Sequence, residues 1–162
     1  MPNRLKIFAL LTAVASAAVL MAGGFALEIG RPSANPEAQA QHAVLVVRSY
    51  ACTHPEKTSI TAKAEGIVNG KRETIPLKLV PLTGKGTYSV TRQWPAEGRW
   101  VIALSATNSA FAWQPSAIVN VNGDDADFAN VKRVNRNPTS EEVEAALNTT
   151  AVAAKVQVKQ VR

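Results

Sequence analysis

The chain contains one cysteine (Cys52), two histidines (His42 and His54) and no methionine beyond Met21. A single thiol forms no intramolecular disulfide, so any fold must rest on its hydrophobic core. Without downstream methionine, the thioether ligands of a soft copper(I) site are missing. Two histidines and no Gly-x-Ser-x-Gly elbow leave little from which to assemble a base-activated nucleophile. Gly84-Lys85-Gly86 lacks the rest of a phosphate-cradling loop. These absences point away from an enzyme. The net charge of +6 is spread thinly, with no cluster larger than Lys71-Arg72 or Lys132-Arg133. Such a distribution reads as a solvated basic surface and argues against a nucleic-acid partner.

The most distinctive feature present is the N-terminus. Arg4 and Lys6 precede a stretch from Ile7 to Leu27 that carries no charge. Basic residues ahead of an apolar run are the pattern of a Sec-type export signal. The following segment is polar, broken by Pro32 and Pro36, and ends in the small-x-small triplet Ala38-Gln39-Ala40. This predicts cleavage after Ala40, a mature terminus at Gln41, and delivery to the periplasm or the extracellular space. The uncharged run is also close to the ~20 residues that span a bilayer, so the competing outcome is a retained membrane anchor. Cys52 lies too far from the run to serve as a lipoprotein cysteine.

From His42 to Val121 the apolar residues recur mainly with period two. Thr58 to Val68 alternates Ile60, Ala62 and Ala64 against Thr61, Lys63 and Glu65, the mark of a strand with one face on a core. Asn69-Gly70 predicts a type I′ hairpin into a second arm, Lys71 to Val80. Pro76 in that arm has no amide hydrogen to donate, which places it at an edge or a bulge. Further strands are predicted over Thr87–Gln93, over Arg99–Ala106 after a tight turn at Trp94–Gly98, and within Phe111–Val121. About six short strands without helical period between them predict an Ig-like antiparallel β-sandwich. Beyond an acidic loop at Gly123–Asp127, Thr139-Ser-Glu-Glu142 reads as a capping box opening a short helix with Val143 and Leu147 on one face. The predicted organisation is thus a signal segment or anchor at 1–40, the sandwich at 41–122, and loop, helix and tail at 123–162.

Three constellations could carry chemistry. Cleavage at Ala40 would put His42 beside a free terminal amine, and Cys52-Thr-His54 could add a thiolate and an imidazole, together a site for copper or zinc. Against this, Cys-x-His has neither the spacing nor the ligand count of a structural zinc site, and a lone buried thiol beside a loop histidine is the plainer reading. Asp124, Asp125 and Asp127 offer hard oxygen ligands but not a calcium-loop geometry. Of the tryptophans, Trp100 is expected in the core, whereas Trp94, in a turn beside Pro95, is the candidate surface for an envelope protein or a glycan.

The stretch Gly86-Thr-Tyr88, followed by Trp94-Pro95-Ala96-Glu97-Gly98-Arg99-Trp100, resembles the tyrosine and Pro-x-x-Gly-x-Trp pattern of small exported Ig-like domains of the FixH-like and YtkA-like groups. The similarity spans about residues 43 to 121. It implies the sandwich fold and, from the FixH-like side, membrane anchoring and a part in copper delivery to oxidase assembly. The missing methionines and the added C-terminal helix depart from that pattern.

Overall fold

Strand periodicity and the placement of turn residues yield an antiparallel β-sandwich, seen in a computed structural model that describes residues 24–149. One sheet has the order β1-β2-β6-β5, from β1 (Phe25–Gly30), β2 (Ala43–Ala51), β6 (Thr87–Thr91) and β5 (Leu79–Pro81). The other runs β10-β8-β7-β3-β4, from β10 (Lys132–Val134), β8 (Ser116–Asn122), β7 (Arg99–Thr107), β3 (Ser59–Val68) and β4 (Lys71–Pro76). A two-residue strand β9 (Asp125–Ala126) pairs with the end of β8. Helix α1 (Pro36–Ala40) leads into β2, and helix α2 covers residues 140–149.

The inner faces are filled by registered rows. Ala62, Leu104 and Ala117 lie side by side across β3, β7 and β8, as do Ala64, Ile102 and Val119. They meet Leu45, Val47 and Val90 of the facing sheet in one buried cluster. The next row is Gly66, Trp100 and Val121. A Cβ at Gly66 would fall 2.4 Å from the Trp100 ring, so the missing side chain is the space the indole occupies.

Strand β7 is buried on both faces, because α2 covers the outside of its sheet. Val143 and Leu147 of α2 pack on Val101 and Ile118, forming a second small core. The capping box forms as expected. The Thr139 amide donates to Glu142 Oε2 at 2.9 Å, and the Glu142 amide donates to Thr139 Oγ1 at 3.3 Å. The Arg136 guanidinium, the Thr139 amide and Lys132 together hold the Glu142 carboxyl well below the usual carboxylate range.

The Asn69-Gly70 hairpin is present between β3 and β4, both residues at positive φ as a type I′ turn requires. Pro76 ends β4, an edge strand. One expectation changes and two are sharpened. The arm from Lys71 to Val80 is two strands in different sheets: after Pro76 the chain crosses over, and Gln93 clamps the crossing by bonding both the amide and the carbonyl of Lys78 at 2.9 Å. The Trp94–Gly98 turn likewise joins β6 to β7 across the sheets. Gly98 is at positive φ there, and a Cβ would approach the Ile67 carbonyl oxygen to 2.7 Å. Finally, the strand sought within Phe111–Val121 begins only at Ser116, since Pro115 has no ladder amide and Asn108 Oδ1 draws the Ala110 amide into a turn.

Residues 25–40 are built into the sandwich. β1 pairs with β2 along its whole length, Phe25 opposite Ala51 through Gly30 opposite Val46. Phe25, Leu27 and Ala38 are buried. Arg31 lies over the Phe128 ring at 4.6 Å, and Glu37 accepts from the Thr83 amide at 2.8 Å. Position 40, read from sequence as the end of the leader, therefore does not coincide with a boundary of the fold. The triplet Ala38-Gln39-Ala40 is helical here, capped by the Asn35 side chain on the Ala38 amide. Phe25, Leu27 and Ile29 alternate with Ala26, Glu28 and Gly30 as a strand does, but the segment merges with the apolar run ahead of it. The leader residues 1–23 and the C-terminal tail, 150–162, lie outside the described residues.

Candidate functional site

At the end of the sandwich where β7 begins and β8 ends, the inter-sheet turn, the β8–β9 turn and the last turn of α2 enclose a cleft of about 320 Å³. Its walls include Trp94, Trp100, Asn120, Asp125 and Asp127, with Thr149 on the rim. Trp94 reaches it from the turn and is itself buried. Trp100 is fixed by its place over Gly66 and by its indole N–H, which donates to the Glu97 carbonyl at 2.8 Å. The apolar walls are therefore held rigidly by the same packing that makes the core.

Asn120 is the polar residue of the cleft that stands out. It occupies an outward position of β8 in the row Glu65, Val101, Asn120. Its side-chain oxygen is buried and is the one such atom without a hydrogen-bond partner among the described residues. A buried carbonyl oxygen left unpaired costs about 1–3 kcal/mol, so a donor brought to it gains correspondingly. The carboxylates nearby are partly committed. Asp127 accepts from Asn130 Nδ2 at 2.7 Å and from the Ala129 amide at 3.0 Å, and the Asn130 amide group foremost holds its carboxyl below the ordinary value. Asp124 pairs with Arg92 at 3.2 Å. Asp125, on the short strand β9, is exposed.

The residues proposed from sequence as metal ligands are placed apart. His42 is exposed, at positive φ, in the turn before β2, and Cys52 is exposed just after that strand ends. At ~3.3 Å per residue, the nine residues of β2 hold the two roughly 30 Å apart. Cys52 and His54 do share one loop. The thiol lies 3.3 Å from the Tyr50 hydroxyl, whereas His54 Nδ1 lies 3.1 Å from Glu56 Oε1. Among the described residues no three His, Cys, Asp or Glu side chains gather as a metal site.

The tryptophans also sort differently from expectation. Trp100 is in the core as anticipated, at 3% exposure, but Trp94 is buried too, at 5%. Trp94 faces inward because its turn spans the two sheets and closes the end of the core. The exposed indole is Trp113, at 41%, in the loop between β7 and β8. The Phe-Ala-Trp-Gln-Pro composition of that loop, ending in a strand-incompatible proline, was the available signal for it. Asn120, an amide within the apolar run Ser-Ala-Ile-Val-Asn-Val, was the signal for the cleft.

No protein-family model, curated protein or solved structure matches this chain.

Proposed function

We propose that this protein is an exported, non-catalytic β-sandwich module of the cell envelope that binds its partner through the Trp94–Asn120 cleft. The basic residues and uncharged run at the N-terminus support export by a Sec-type signal to the periplasmic or extracellular side. The resemblance of the Tyr88 and Trp94–Trp100 segment to small exported Ig-like domains is consistent with that setting. The observation that carries the binding role is the cleft lined by Trp94, Trp100 and Asn120, with the buried Asn120 side-chain oxygen left without a partner beside it. Aromatic walls offer an apolar face, and a lone acceptor asks for an N–H or O–H beside it. A sugar ring or a peptide amide of an envelope partner presents that combination. The copper- or zinc-handling role is not favoured, because β2 holds His42 far from Cys52 and His54.

Titrating the folded chain with soluble cell-wall saccharides and with extended peptides, while following tryptophan emission, tests this reading. A saturable change with one class, lost in Asn120→Leu while the far-ultraviolet circular dichroism is kept, is the expected result. No response to either class, or equal binding by the variant, would contradict it.

A further inference from the structure

The two large hydrophobic side chains that are exposed among the described residues, Tyr50 at 48% and Trp113 at 41%, lie at the same end of the sandwich. It is also the end at which the chain enters the fold. The Gly24 carbonyl accepts from the Cys52 amide at 3.3 Å, just beyond β2, and Ala26 stands opposite Tyr50 in the β1–β2 ladder. On the other side of β1, the Trp113 indole donates to the Phe25 carbonyl at 3.0 Å. Phe111 supports Trp113 edge-on at 4.9 Å and stacks on Phe25 at 5.2 Å. The exposed aromatics thus flank the first residues of the fold, each tied to them through hydrogen bonding.

Immediately upstream, Ile7 to Gly23 is uncharged and mostly apolar. Along the sequence only Gly24 lies between it and β1. As a helix those residues would extend roughly 25 Å at ~1.5 Å per residue, a little short of the ~30 Å hydrocarbon core of a bilayer. A sandwich joined so closely would be drawn against the headgroups. Tryptophan and tyrosine are the side chains that settle at that depth, with an apolar body and a polar tip. Lys57 is exposed on the neighbouring loop, next to the equally exposed Glu56. The cleft, at the far end of the nine-residue strand β7, would then point away from the membrane.

We infer that residues 7–23 are retained as a membrane anchor and that the Tyr50–Trp113 end of the sandwich rests on the bilayer surface. The inference builds on the envelope reading above and adds the orientation of the domain. Its test uses the full chain, reconstituted into phosphatidylcholine–phosphatidylglycerol vesicles with and without brominated acyl chains. Trp94 and Trp100 are buried, so bromolipid is expected to quench a Trp113 component of the emission, and Trp113→Phe to abolish that quenching. A fluorophore on Cys52, the only thiol, gives a second readout and should shift to the blue on reconstitution. A membrane-integral chain whose emission and Cys52 label ignore the lipid overturns the orientation alone. A chain exported but released with a new terminus near Gly24 overturns the anchor while leaving export intact. A chain found only in the cytoplasm overturns both.

Discussion

Gly66 and Glu65 are adjacent on β3 and face opposite ways, and each shows what a single residue contributes. Gly66 yields its side-chain volume to Trp100, so Gly66→Ala forces a methyl group into the indole. The expected cost is about 1–3 kcal/mol, as for overpacked cores, read as a lower urea midpoint with unchanged slope. Glu65 is buried on the outer face between Lys63, at 2.6 Å, and Arg72, which also reaches Glu144 on α2 at 3.0 Å. Burial alone would raise its carboxyl, but the hydrogen bonds and charges of Lys63 and Arg72 prevail and hold it below the usual value. A depressed folded pKa means a stabilising contribution that is complete above about pH 4.3 and fades as pH falls through the depressed value. Unfolding midpoints measured from pH 7 to pH 3 should therefore decline more steeply for the parent than for Glu65→Gln. Equal slopes would show that the two bases do not discriminate the charged form. From sequence, Glu65 read only as one of the polar residues alternating along β3, because Arg72 and Glu144 come to it through the hairpin and the distant helix.

At the scale of elements, helix α2 is the best-anticipated part of the molecule. Its capping box and its Val143–Leu147 face are local patterns, set within one or two turns, and both form. What local pattern does not carry is the surface it covers, the outer face of β7 and β8. That contact explains why Val101 is as buried as the inward-facing Ile102 beside it. Leu147→Ala is expected to cost about 2–5 kcal/mol, and Thr139→Ala about 1 kcal/mol, both measured by chemical denaturation. If Leu147→Ala proved neutral, α2 would not be part of the cooperative fold. The Asn69-Gly70 hairpin was legible for the same reason as the helix: two residues decide the turn. The crossings after Pro76 and Trp94 were not, since a turn between sheets and a turn within one use similar residues, and only the facing sheet distinguishes them. Trp94, in a turn beside Pro95, therefore reads from sequence as exposed.

At the scale of the whole molecule, the sandwich was legible through its period-two segments, but its beginning was not. Phe25 to Leu27 reads as the end of the apolar run and Glu28 to Gly30 as the start of the polar segment after it, because a buried edge strand and a signal core share their apolar residue types. Only pairing with β2 and the burial of Phe25, Leu27 and Ala38 separate them. The cleft was equally hidden, assembled from β7, β8, a turn and α2, elements far apart along the chain. Under the proposed function and orientation, one end of the sandwich lies beside the chain entry and the bilayer and the other opens to a partner. Both roles require that the exported protein keep its first strand. The intact mass of the protein recovered from the envelope fraction tests that directly. The expected species keeps residues 7–23 ahead of Phe25 and runs on to Arg162. A terminus at Gln41, or a protein confined to the cytoplasm, would contradict it.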